Sequence, residues 1–195
     1  KLNGCGYWVV GHKLFSKDFY VYSLDENGIG EPIIQSIGFE HPYTAERELV
    51  FSPSGNMIAL AVADGSGGTV VQVFRFDRSN GNISDPLTVD HLTRWTYGLC
   101  FSPDNSKLVI TTGIPDYAVY QFDVSNYDSV AFNNSMVRLG SAGNSAGVLQ
   151  IDPLGRYIYR ANFGSNYLYY YTNPNATGIA AGAIDSINLG SGNSM

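Results

Sequence analysis

The chain has 195 residues, 44% of them hydrophobic, with a formal net charge of −6 and a pI near 4.8. That length and apolar content suit one globular domain with its own core and exclude a disordered chain. The acidic balance excludes a nucleic-acid partner, whose phosphates it would repel. No apolar run approaches the roughly 18 residues of a membrane-crossing helix, so no membrane insertion is expected.

Many glycines and tyrosines point to turns joining half-buried strands, and the chain order follows that pattern. Lys1 opens almost directly onto a strand with no signal-peptide pattern before it, as a mature or excised fragment would. Tyr7–Val10 reads as a strand, Gly11–Lys17 as a polar loop, Phe19–Leu24 as a second strand and Pro32–Gly38 as a third. The Asn27-Gly28 pair between them suits a tight turn. Glu48–Phe51, Met57–Ala63, Val70–Phe76 and Leu87–Val89 follow as a set of four. A second set has Tyr97–Phe101, Lys107–Thr112, Tyr117–Phe122 and Met136–Leu139. A third has Gly147–Ile151, Tyr157–Ala161, Tyr167–Tyr171 and Ala183–Leu189. No stretch carries a helical period over 11 or more residues, so helix content should be near zero.

The sets repeat in register. Phe51-Ser-Pro-Ser-Gly55, Phe101-Ser-Pro-Asp-Asn105 and Ile151-Asp-Pro-Leu-Gly155 lie fifty residues apart. A repeat of about 40–50 residues with four strands per period predicts an all-β fold, a β-propeller with one four-stranded antiparallel blade per period. The blades should divide near 1–44, 45–92, 93–143 and 144–195. With strands labelled A to D from the centre outwards, the chain reads B-C-D and then three complete A-B-C-D sets. The first blade therefore lacks its innermost strand, which points to part of a larger ring of about seven blades, completed by the same or another chain. The carboxylates closing the third strands, Asp25, Asp77 and Asp123, read as turn residues bonding nearby backbone N–H groups.

Several segments are together similar to a known family. These are Cys5-Gly-Tyr-Trp-Val-Val-Gly-His12, Phe19-Tyr-Val-Tyr22, the Phe51–Gly55 turn, Val73–Asp77, Tyr97–Pro103, Tyr120–Asp123, Val148–Tyr159 and Asn173–Gly178. They resemble the WD40/YVTN-like propeller region at the N-terminus of Bacteroidetes proteins exported by the type IX secretion system. Such proteins often end in a gliding-motility-associated sorting domain. The resemblance runs the length of the chain in order. It implies further blades, export to the outer cell surface or medium, and a place in adhesion or gliding motility. Asp128-Ser-Val130 and Asp185-Ser-Ile187 match the short O-glycosylation pattern of such organisms, and Asn82, Asn133 and Asn175 open Asn-x-Ser/Thr sequons.

The chemistry-bearing residues are few. There is no Gly-x-Ser-x-Gly elbow, no phosphate loop and no Cys/His spacing of a zinc site, so no catalytic residue, cofactor or metal is assigned. Cys100 sits in an apolar run and reads as a free buried thiol, the alternative being a disulfide with Cys5. The histidines are His12, His41 and His91, each in a loop or near a strand end. In a propeller the B–C and D–A loops gather at the channel mouth. That placement nominates His12, Trp95, Tyr97, Asp116, Asn162 and Asn166 as ligand-binding residues, with Arg94, Asn144 and Ser145 in the same loops. Aromatic faces beside amides and carboxylates suit glycan or peptide. The structural alternative has Trp95 packed between blades and the asparagines serving turns. The leading expectation is a non-catalytic interaction module binding glycan or protein. Its rivals are a lactonase-like enzyme using Asp64, Asp116 and Asn162 around a metal, and a purely structural or assembly subunit.

Overall fold

The computed structural model describes residues 6–42, 46–66, 68–89, 92, 95–143, 147–162, 164–178 and 184–190. The strands are β1 (Tyr7–His12), β2 (Asp18–Asp25), β3 (Gly28–Ile29), β4 (Ile33–Ser36), β5 (Glu46–Phe51), β6 (Met57–Ala63), β7 (Thr69–Asp77) and β8 (Asn82–Thr88). They continue as β9 (Thr96–Phe101), β10 (Lys107–Thr112), β11 (Ala118–Asp123), β12 (Val137–Ser141), β13 (Val148–Ile151), β14 (Ile158–Ala161), β15 (Tyr167–Tyr171) and β16 (Ile184–Asn188). Consecutive strands pair antiparallel into four sheets. Three of them run in sequence order, β5-β6-β7-β8, β9-β10-β11-β12 and β13-β14-β15-β16.

Among the described residues the four strands of the first sheet make it three strands wide. β1 pairs with β2 on one side, and β3 and β4 pair with different stretches of β2. β1 is therefore an edge strand at the position that β6, β10 and β14 occupy inside their own sheets. This is the B-C-D set expected from the repeat.

The Pro-containing turns build the repeat. Ser52, Ser102 and Asp152 each donate a backbone N–H across the turn, to the carbonyls of Met57, Lys107 and Tyr157. Their side chains accept the N–H of the same three residues, at 3.1, 2.9 and 3.2 Å. Two residues past each proline, Gly55, Asn105 and Gly155 take positive φ of 73°, 65° and 66°, which is why only Gly or Asn stands there. Asp25, Asp77 and Asp123 each accept the N–H two residues on, from Asn27, Ser79 and Ser125, as turn carboxylates do. Asp123 also accepts from the buried Lys107 ammonium at 2.6 Å.

The core lies between sheets. Phe19, Val21, Ile58, Leu60 and Phe74 fill the space between the first and second; Ala59, Val73, Leu99, Leu108 and Ile110 that between the second and third; Val109, Val119, Leu149 and Ile158 that between the third and fourth. Alternate residues of β6 thus face different neighbours, and both faces are dry. A strand covered on both faces loses its apolar–polar alternation, which explains the unbroken Met-Ile-Ala-Leu-Ala-Val-Ala run.

One element departs from expectation. The link between β11 and β12 contains a single-turn-and-a-half helix, α1 (Ser129–Asn134), where almost no helix was expected. Six residues are too few to show a period. The local signal is Asp128, whose carboxylate caps the N-terminus by accepting the Ala131 N–H at 2.8 Å. Phe132 anchors it, buried against Phe122 with ring centroids 5.2 Å apart.

Candidate functional site

Trp95 and Tyr97 flank Thr96 at the entry to β9. Thr96 is fully buried and donates its N–H to Thr69 Oγ1 of the neighbouring sheet at 3.1 Å. Period-two alternation therefore turns both aromatic rings outward, and they keep 38% and 41% of their surface exposed. Below them the end of β10 comes close. Gly113 donates its N–H to the Trp95 carbonyl at 2.6 Å. A Cβ on Gly113 would stand 2.8 Å from the Tyr97 ring and 3.6 Å from Trp95 Cβ, so this glycine is the seat on which the pair rests. The exposed Ile114 extends the apolar surface.

Asp116 belongs to the same loop but is turned to internal work. Its two carboxylate oxygens accept from Thr112 Oγ1 at 3.0 Å and from the Tyr120 hydroxyl at 2.6 Å. Asn162 lies across the seam to the fourth sheet, where Thr111 Oγ1 donates to the Gly147 carbonyl and accepts the Gly98 N–H. Its Nδ2 donates to the Ala142 carbonyl at 2.7 Å, while its Oδ1 is buried with no hydrogen-bond partner among the described residues. Asn166 is exposed, and its carbonyl accepts from Leu189 N–H. Trp95 and Tyr97 therefore meet the loop that carries Asp116 through Gly113, and Asn162 lies beyond the seam.

His12 is brought to a different place. It closes β1 and meets Phe19 and His41 edge-on, at centroid distances of 4.5 and 5.2 Å. Its ring nitrogens are buried without a hydrogen-bond partner among the described residues. Burial above all, then the neighbouring His41, lowers its pKa to about 4 against the pull of Asp18. His12, His41, Glu48, Val10, Leu49 and Leu60 surround a hollow of about 340 Å³. Glu48 was not among the residues nominated from sequence. Its carboxylate accepts the Leu99 N–H of β9 at 2.5 Å, and burial raises its pKa. The available signal was a carboxylate inside the otherwise apolar Glu48-Leu-Val-Phe51.

The likeness to solved structures is extensive and distant. A protein of Bacteroides uniformis described as a candidate 6-phosphogluconolactonase aligns over 95% of this chain and 53% of its own, with a TM-score of 0.60 and 17% identity. Hsv2 of Kluyveromyces lactis aligns over 97% and 63%, with a TM-score of 0.60 and 13% identity. The periplasmic gluconolactonase PpgL of Pseudomonas aeruginosa aligns over 96% and 57%, with a TM-score of 0.56 and 15% identity. The fold is that of a β-propeller. The chain spans little more than half the length of these seven-bladed neighbours. No family profile and no curated protein matches it.

Within the propeller, the residues weighed for metal-assisted chemistry are separately engaged. Asp64 accepts the Ser66 and Gly68 N–H groups in its own loop, Asp116 holds Thr112 and Tyr120, and Asn162 holds Ala142. Among the described residues no three His, Cys, Asp or Glu side chains group as metal ligands. Cys100 is a free buried thiol, its pKa pushed up to about 12 by burial first and Glu48 second. Its pairing with Cys5, and the readings of His91, Arg94, Asn144 and Ser145, fall on residues outside those described. Of the sequons, Asn133 and Asn175 already serve contacts to Thr88 and Asp104, while Asn82 is exposed.

Proposed function

We propose that this propeller is a non-catalytic interaction module, displayed at the cell surface or released, that binds glycan or protein in adhesion or gliding motility. The observation that carries the reading is the exposed Trp95–Tyr97 pair seated on Gly113. Two outward rings held by a buried strand form a rigid platform, and stacking on such a platform costs little conformational entropy. Their flat faces suit stacking on the C–H faces of a sugar. The location rests on the resemblance to type IX exported proteins.

A glycan array probed with the whole chain, followed by titration calorimetry on the hits, tests the platform. Trp95→Ala and Tyr97→Ala should each weaken binding several-fold to about tenfold, and Trp95→Phe should weaken it less. Hits that bind both alanine variants as tightly as the parent would remove the platform. Surface labelling of intact producing cells tests location, and labelling only after lysis would refute export. The enzyme alternative predicts lactone hydrolysis that a chelator abolishes.

A further inference from the structure

Two buried charges in this chain meet the opposite sign: the Lys107 ammonium lies 2.6 Å from Asp123, and the Asp152 carboxylate 3.2 Å from Arg156. Glu48, half-buried on β5, forms no ion pair among the described residues. One of its carboxylate oxygens accepts the Leu99 N–H at 2.5 Å, and the other takes no hydrogen bond among those residues. Burial raises its pKa more than that single bond lowers it. The blade pattern does not call for a carboxylate at this point. Counted five residues back from the turn proline, Glu48 stands where the next two blades have Gly98 and Val148. An uncompensated charge that the scaffold does not need is a local cost, and such costs collect at functional sites.

The surroundings of Glu48 give that charge an opening. The β5–β6 register slips just before Glu48, a bulge of the kind that re-aims a side chain. Glu48 and Leu99, joined by their hydrogen bond, border one hollow of about 80 Å³ at the inner strands β5, β9 and β13. Val50, Leu99, Cys100 and Leu149 make its sides apolar, and Gln150 adds an amide. Its size admits a charged head and the first carbons of a chain, since a water molecule takes about 30 Å³ in the liquid. A metal ion has too few ligands there. Among the described residues no three His, Cys, Asp or Glu side chains group, and Cys100, with a pKa of about 12, stays a thiol. An organic cation needs only one counter-charge and an apolar sleeve, and the net charge of −6 favours its approach.

We propose that this hollow is a binding site for the ammonium end of a linear primary amine, with Glu48 as its counter-charge. The ammonium donates to the carboxylate oxygen that Leu99 leaves open, a charge-assisted bond in a half-buried place. The methylenes behind it lie against Val50 and Leu149, and the rest of the ligand stays outside, because the hollow is too small for a branched body. A free amine and the side chain of a lysine on a partner protein both present this chemistry. The site uses neither Trp95 nor Tyr97, so amine binding and glycan binding can fail independently.

The test is an amide chemical-shift titration of the isotope-labelled whole chain near neutral pH with n-butylamine, and with n-butanol, which lacks only the charge. The amine should shift Glu48, Leu99 and Gln150 saturably and bind at least about tenfold more tightly than the alcohol. Glu48→Gln keeps an acceptor for Leu99 and removes the charge, so it should bring the amine down to the level of the alcohol. Equal affinity of amine and alcohol for the parent, or an unchanged amine affinity in Glu48→Gln, overturns the proposal. The first of these comparisons stands even if the variant folds poorly. A third titration uses acetyl-lysine methylamide. Tighter binding than n-butylamine assigns the site to a partner's lysine and weaker binding to a free amine, and either supports it. Zinc that shifts the same amides and displaces the amine would overturn it, because a metal would then be the occupant.

Discussion

Single residues carry the repeat through hydrogen bonds that their chemistry makes available. Ser52, Ser102 and Asp152 differ in type but share an oxygen placed to accept the first N–H of the next strand, so the position tolerates Ser or Asp and not an apolar residue. His12 has the clearest pH consequence. Its pKa is lowered by burial and His41 from 6.5 to about 4, so as pH falls the unfolded chain takes up the proton first. The stability that a neutral His12 contributes is present above about pH 6.5 and drains away as pH falls towards about 4. The urea midpoint should therefore be lower at about pH 5 than at about pH 7.5, with a smaller difference in His12→Leu. An unchanged difference in that variant would mean that other groups set the pH response.

At the scale of elements, burial on both faces decides what a strand looks like, and a cap decides a helix too short to have a period. In α1 the anchor outweighs the cap. Phe132→Ala, which empties a site between α1 and Phe122, should cost about 3–5 kcal/mol. Asp128→Ala, which frees one exposed N–H, should cost about 1 kcal/mol. Denaturant unfolding of the two variants checks the order, and equal losses would contradict the role given to Phe132. The same comparison explains β1 and β2, which alternate because among the described residues only one face of the first sheet packs against another sheet, whereas β6 is covered on both.

For the molecule as a whole, the sheets meet through their inner strands, and the third and fourth approach closely at Gly98. A Cβ on Gly98 would lie 2.7 Å from the Gly147 carbonyl oxygen, 2.8 Å from Thr111 Oγ1 and 2.9 Å from Leu149 N. Two of those three atoms are backbone and cannot swing away. Gly98→Ala should destabilise by about 1–3 kcal/mol or more, read from the denaturant midpoint. A neutral effect would show that the seam is looser than these distances indicate. Outside the seams, Tyr7 and Val9 at one end and Val148 and Ile187 at the other leave apolar surface exposed.

The chain by itself determined the blade pattern, the three Pro turns, the turn role of Asp25, Asp77 and Asp123, and the first sheet's missing inner strand, because all of these are local or periodic. The backbone bond from Gly113 to Trp95 joins the loops on which Trp95 and Asp116 lie. Only the tertiary structure decided what those residues face. That Asp116 is held by Tyr120, that Glu48 reaches β9 across a seam, and that His12 meets His41 all depend on sheets packed through residues distant in sequence. The physical reason is that a strand dry on both faces keeps no alternation to say which neighbour each side chain meets.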